Sequence, residues 1–253
     1  MIDLDWEPAG EHLVAARTGD VAVLRLDRPA KLNALTPAML PAIAAGIRGL
    51  AEGSGGLVLT GTGRAFSAGD DLDATAELDR TGFYAVIAGF QEMTRAVLDT
   101  DVPVVAALNG LAVGGAAELT LACDARVGSP EAGFYFPENG IGLTISNGST
   151  YLLPRILGPQ ALPLVLTGWR IDAADAQRVG LLTEIADDPM ERAVEMVRAW
   201  GADGHATGWH LRLMRPDPAA VEAAMARETV AAMEVFDAGI ATAGAAAFRD
   251  RRS

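Results

Sequence analysis

Lysine is almost missing from this chain of 253 residues: Lys31 is the only one, and the formal net charge is −13. Without a positive footprint, electrostatic capture of nucleic acid or of an anionic membrane surface is unfavourable, and neither is expected as a partner. One cysteine, Cys123, excludes an intramolecular disulfide. The three histidines, His12, His205 and His210, lie far from it in sequence, so no zinc cluster is expected and Cys123 reads as core filler. No apolar run reaches the ~20 residues of a membrane span. Val102 to Ala117 is free of charge, but Pro103, Asn109, Gly110 and the Gly114-Gly115 pair interrupt it. The opening Met-Ile-Asp-Leu-Asp-Trp-Glu is acidic where a secretory signal is basic and then apolar, so a cytoplasmic location is the expectation. Neither a Gly-x-x-x-x-Gly-Lys-Ser/Thr loop nor a Gly-x-Gly-x-x-Gly turn opening a helix is present, which leaves ATP, GTP and dinucleotide cofactors without support.

What is there is apolar: half the residues are hydrophobic and 21% charged, enough for one large globular unit. Val21–Leu26 reads as a strand and Asp27–Asn33 as the loop leaving it. Thr36 as cap, Pro37 in the first turn, and Met39, Leu40, Ile43, Ile47 and Leu50 at helical spacing predict a helix that Gly53 ends. Leu57–Thr60 follows as a short buried strand, residues 61–69 as a glycine-rich turn, and residues 80–99 as a helix. Val102–Leu108 then reads as a strand, Asn109-Gly110 as a turn and Gly115 to about Ala122 as a helix. Strands that are continuously apolar and recur between helices predict an α/β core with covered sheets. From about residue 189 the alanine-rich remainder, with Met225, Val230, Met233 and Phe236 at helical spacing, reads as helices that pack either on a neighbouring subunit or on their own core.

Two glycine-rich turns each follow a buried strand, and the second runs into a helix as Asn109-Gly-Leu-Ala-Val-Gly-Gly-Ala-Ala-Glu118. Glycine lets successive N–H groups face one point, and a helix N-terminus adds its dipole, so such a turn can hold an oxyanion. A second N–H near Gly69-Asp70 facing the same point would polarise a carbonyl and stabilise an enolate. The plainer alternative is that these glycines only permit close packing. Glu118 sits in an apolar helix start, either as a dipole-favoured carboxylate or as a catalyst. Glu138 follows Gly133-Phe-Tyr-Phe-Pro137, where burial would raise its pKa and let it hold a proton near neutrality. Two carboxylates around one water can take a proton from it and deliver one to carbon.

These segments resemble the enoyl-CoA hydratase/isomerase, or crotonase, family. Arg28-Pro-Ala-Lys-Leu-Asn-Ala-Leu35 is similar to its coenzyme-binding loop, Gly63-Arg-Ala-Phe-Ser-Ala-Gly-Asp-Asp-Leu72 to its first oxyanion segment, and Ala107 through Asp124 to its second. Phe136-Pro-Glu138, Leu153-Pro-Arg155, Leu166-Thr-Gly168 and residues 173–181 continue the similarity, and residues 243–251 extend it more loosely. The resemblance implies a crotonase-like spiral of strand-strand-helix units over residues 1–188 and a helical C-terminal region, 189–253, used in a homotrimer or a dimer of trimers. It implies an acyl-CoA thioester as substrate, with no cofactor because coenzyme A is part of that substrate, and no metal. Backbone N–H groups of Asp70 and Gly115 would form the oxyanion hole. Arg28, Lys31, Leu32, Ala68, Asp71, Leu72 and Gly114 would bind substrate, with Arg64 a further cation near the coenzyme. Glu118 would deprotonate water and Glu138 would protonate the α-carbon of a 2-enoyl thioester; a dehydratase or a double-bond isomerase is the related alternative.

Three positions depart from the family pattern. Asp70 stands where a small residue is usual, and its carboxylate is expected to face away from the enolate. Ala116 replaces a third glycine. Gly142-Leu-Thr-Ile-Ser-Asn-Gly-Ser-Thr150 replaces a proline- and glycine-rich stretch, so Ser146, Asn147 and Ser149 are expected either to meet a polar acyl chain or to cap a helix. Two rival readings remain: a hydrolase using Ser67, one residue from a Gly-x-Ser-x-Gly elbow with His205 or His210 as base, and a non-catalytic acyl-CoA-binding protein on the same fold.

Overall fold

In a computed structural model, which describes residues 4–202 and 204–250, the chain opens with an antiparallel meander: β1 (Glu7–Gly10) and β2 (Leu13–Thr18), which the sequence reading missed, and β3 (Val21–Leu26), the strand it expected. Helix α1 (Met39–Ala51) follows, its stripe of Met39, Leu40, Ile43, Ala44 and Ile47 buried. It starts at Met39 rather than beside Thr36, because Thr36 first closes a turn in which its carbonyl and hydroxyl both accept from the Met39 N–H.

A strand-strand-helix unit then repeats. β4 (Gly56–Gly61), β5 (Ala65–Ser67), the short α2 (Leu72–Thr75) and α3 (Arg80–Leu98) make the first unit. β6 (Val104–Leu108), β7 (Leu111–Val113) and α4 (Gly114–Leu121) make the second, and β8 (Ala125–Gly128), β9 (Gly133–Tyr135) and α5 (Ser149–Leu157) the third. The chain continues through α6 (Ala161–Thr167), β10 (Arg170–Asp172), α7 (Ala173–Arg178) and β11 (Glu184–Ile185). Each unit gives its first strand to a seven-stranded sheet ordered β1-β2-β3-β4-β6-β8-β11 and its second to a four-stranded sheet ordered β10-β9-β7-β5. β3, β4, β6, β8 and β11 pair in parallel, as do β5, β7 and β9. This is the crotonase-type spiral. The second strand of the middle unit, β7, occupies residues the sequence reading gave to a turn, and the strand before it starts at Val104 because Pro103 has no N–H to pair.

Residues 189 onward form α8 (Pro189–Trp200), α9 (Thr207–Met214), α10 (Pro218–Asp237) and α11 (Ile240–Asp250). Arg251, in the loosely similar C-terminal motif, lies outside the described residues. These helices cover their own core. Ala193, Val194 and Val197 of α8 close the face of the large sheet made by Val21, Val23, Val58, Val105 and Val127. Val221 and Met225 of α10 join the main core on the other side. Covering both faces of a parallel sheet is why its strands read as unbroken apolar runs. Among the described residues no helix is long and apolar enough to cross a membrane.

Candidate active site

The spiral brings the start of α4 and the turn after β5 into contact, and glycine makes the approach possible. A Cβ on Gly69 (φ +80°) would lie 2.6 Å from the Val113 carbonyl oxygen, and one on Gly115 would lie 2.4 Å from the Phe90 ring. Gly69 O accepts from Leu35 N–H and Asp71 N–H donates to Leu35 O. Alternation along an extended segment therefore turns the Asp70 N–H the other way, off Leu35. Gly115 lies in the first turn of α4, where N–H groups have no partner within the helix. Both residues line one cleft of about 530 Å³. The loop before α1 is pinned beneath it: Asn33, fully buried, reaches the carbonyls of Thr62, Ala65 and Phe66 with Nδ2 while Oδ1 accepts from Arg28 N–H.

Glu118 and Glu138 line the same cleft at 1% and 5% exposure. Glu118, one turn beyond Gly114 on α4, uses Oε2 to accept from the Ser146 N–H (2.9 Å), the Ser146 hydroxyl (3.1 Å) and the Ser149 hydroxyl (3.4 Å). Glu138 begins a short 3₁₀ turn to Ile141, and its Oε1 stands 3.0 Å from where a Gly114 Cβ would be, directly beside the amide turn. Its Oε2 has no protein partner among the described residues. Burial raises Glu118 well above the usual carboxylate range, with the charges of Glu138 and Glu228 adding to it and the Ser146 donors opposing it. Burial likewise pushes Glu138 up to about 7, against hydrogen bonds from its own backbone and from Glu118. Both carboxyls are therefore harder to ionise than free ones, and charge on Glu138 opposes ionisation of Glu118.

A third acid lies on the cleft wall. Asp70 is pushed up to about 7 by burial and by the charge of Asp71, with the Thr75 hydroxyl pulling the other way. Its Oδ2 accepts from Thr75 at 3.2 Å, so the side chain is turned toward α2, and Oδ1 is unpartnered among the described residues.

The enoyl-CoA hydratase/isomerase family model matches residues 16–214. The chain belongs to the enoyl-CoA hydratase/isomerase family. It is 35% identical over 199 residues to a putative enoyl-CoA hydratase/isomerase of Bacillus subtilis (strain 168), covering 76% of each chain. It is 33% identical over 197 residues to a crotonyl-CoA hydratase of Syntrophomonas wolfei, covering 76% of this chain and 75% of that one. Among solved structures it superposes on an enoyl-CoA hydratase/isomerase from Mycobacterium paratuberculosis with a TM-score of 0.87 at 26% identity, over 94% of this chain and 98% of that one.

Within this family member, Lys31, Ala68, Asp70, Asp71, Leu72, Gly114, Gly115, Glu118 and Glu138 all border the cleft. Arg28 and Leu32 stand behind its wall. Arg28 is spent on Asp71 (2.5 Å) and the Ala34 carbonyl (3.1 Å), and Leu32 accepts from Ala68 N–H. Burial works against the Asp71 charge, but Arg28 and the N–H groups of Ala74 and Asp73 hold its carboxyl below the ordinary range. Arg28 is therefore a brace for the loop that carries Asp70. Arg64 is exposed and outside the cleft lining, whereas Lys31 is an exposed cation on the rim. Ser67 is no elbow nucleophile: it is fully buried, its hydroxyl donates to Asn33 O at 2.7 Å and accepts from Gly69 N–H, and both His205 and His210 are exposed beyond β11.

Sequence reasoning missed Glu228. Buried at 3% exposure on α10, it accepts from Gly148 N–H (2.7 Å), Thr150 N–H (2.8 Å) and the Thr150 hydroxyl (2.6 Å). Its only sequence signal is an acid on the same helical stripe as Val221 and Met225.

Proposed function

We propose that this protein is an enoyl-CoA hydratase, adding water reversibly across the double bond of a 2-enoyl-CoA thioester. The observation that carries this reading is the meeting of two buried carboxyls, Glu118 and Glu138, over one cleft beside two amide-bearing turns. The thioester carbonyl accepts from the N–H groups of Asp70 and Gly115. Glu118 removes a proton from water as its oxygen bonds to the β-carbon, and the double-bond electrons move onto the carbonyl as an enolate held by those two donors. Glu138, raised to about 7 by burial, delivers a proton to the α-carbon as the enolate collapses. One water has then been added, Glu118 holds the proton and Glu138 lacks one, and transfer between these neighbours restores the pair. Lys31 on the rim is the cation suited to a coenzyme phosphate.

The sequence-distant apolar residues Leu162, Leu166, Trp169, Trp209, Leu213 and Met214 are each more than half exposed, which supports assembly into a homotrimer or a dimer of trimers.

The test follows the conjugated thioester absorbance of short 2-enoyl-CoA substrates. Glu118→Gln and Glu138→Gln are each expected to lower kcat about 10²–10⁴-fold with KM little changed. Near-normal turnover in either variant removes that residue from its role. Appearance rather than loss of conjugation from 3-enoyl-CoA substrates would instead identify an isomerase, and no turnover across several chain lengths a binding protein.

A further inference from the structure

The turn after Glu138 has a composition that the hydratase reading leaves unused. Neither Ser146 nor Ser149 caps α5 with its side chain, and Ser146 lines the cleft. The residue preceding α5 is Gly148, which has no side chain to cap the helix, and Glu228 of α10 does the capping from across the core. Asn147, at φ +61°, donates from Nδ2 to the Gly115 carbonyl and so ties the turn to the start of α4. With the backbone thus fixed on two sides, both serine hydroxyls converge on a single atom, Glu118 Oε2. The Ser146 hydroxyl has one proton and a second acceptor, Asn147 Oδ1, at 3.4 Å. The shorter bond to the charged oxygen takes it.

We propose that Ser146 and Ser149 are positioning residues for the reaction: they occupy Glu118 Oε2, so that Oε1 is the oxygen left for the attacking water. The proposal rests on the hydratase reading for its kinetic part. The acidic groups facing Glu118 are Glu138 from the 3₁₀ turn and Glu228 from α10, where negative charge opposes its ionisation, with Asp70 on the same cleft wall. Against three acids, donors are what keep Glu118 available as a base. A carboxylate that keeps hydrogen-bond donors gives up its charge less readily than one that loses them. The serines therefore act on protonation as well as on aim.

The experiment titrates Glu118 directly, by ¹³C NMR of glutamate-labelled protein with the resonance assigned by its loss in Glu118→Gln. Ser146→Ala is expected to move that titration upward by about one pH unit, the double variant with Ser149→Ala further, and Ser146→Thr to return it toward wild type. In the hydratase assay the acidic limb of the kcat profile moves the same way, kcat falls roughly tenfold, and KM stays within about twofold. An unmoved Glu118 titration overturns the proposal, as does a rise in KM at constant kcat, which would make the hydroxyls substrate contacts. The titration needs no turnover. If wild-type protein hydrates nothing, the functional reading fails while the NMR shift still decides the role of the serines.

Discussion

Gly69→Ala probes the junction on which the proposed chemistry depends. The added Cβ would stand 2.6 Å from the Val113 carbonyl oxygen and 3.2 Å from its carbon, both backbone atoms that cannot swing aside as a side chain does. To regain ordinary contact, the two turns must part by roughly 0.5–1 Å. Alanine at φ +80° also pays on the order of 1–2 kcal/mol for the left-handed conformation. The parting separates the Asp70 and Gly115 amides. Losing one such donor costs about 3 kcal/mol in the barrier, or roughly 10²–10³ in kcat. The assay is steady-state hydration of a short 2-enoyl-CoA, run beside urea unfolding so that the stability cost is measured separately. A variant that is destabilised by about 1–2 kcal/mol but keeps kcat within tenfold of wild type would refute the oxyanion-hole assignment, because the amides would then have moved without consequence.

Asp70→Asn tests the acid on the cleft wall. Its folded pKa, about 7, lies above the ordinary 3.8, so the wild-type carboxyl favours folding below about pH 4, and that contribution disappears as pH rises through 7. The stability advantage of Asp70→Asn should thus grow between pH 5 and pH 8, by on the order of 2 kcal/mol after discounting for the surface Asp70 retains. Equal urea midpoints for the two proteins at both pH values would contradict it. Glu228→Ala leaves the Gly148 and Thr150 N–H groups without an acceptor and should cost about 3 kcal/mol in urea unfolding; a loss under about 1 kcal/mol would mean that the turn finds other partners. Coenzyme A is polyanionic and the chain carries −13, so KM for the thioester should fall as salt rises from about 0.01 to 0.1 M, with kcat constant. A KM that rises with salt would show local cations such as Lys31 outweighing the global field. Trp169→Glu, which charges a residue 70% exposed on the proposed assembly face, should shift sedimentation toward the 26.3 kDa single chain; an unchanged mass would contradict its place in an interface.

How legible each part was depends on how many residues encode it locally. β3, β4, β6 and α1 were readable because each is a run long enough for apolar continuity or helical spacing to register. β5, β7, β9 and β10 are three residues each, too short for a period, and their pairing is decided by the spiral that stacks them. β1 and β2 escaped notice because the acidic start and the polar ends of the strands, Glu7 and Arg17 among them, mask an edge hairpin whose fully buried residues are only Leu13 on one face and Ala16 on the other.

The acids divide in the same way. Glu118 and Glu138 stood out because each is a charge among apolar neighbours within its own segment, and because the flanking motifs are similar to a known family. Their environment was invisible, since it is made by residues that are remote in the chain. Ser146 and Ser149 sit 28 and 31 positions from Glu118, and Glu228 is about 80 from the turn it caps. From sequence, two serines and an asparagine beside a helix start look like caps or pocket polarity. Only the folded chain reveals that the cap is supplied by α10, which frees the serine hydroxyls for Glu118. The proton affinity of the proposed base is therefore set jointly by the turn that donates to it and by a C-terminal helix whose own carboxylate repels it. A substitution on α10 that never touches substrate should, for that reason, be felt at the double bond.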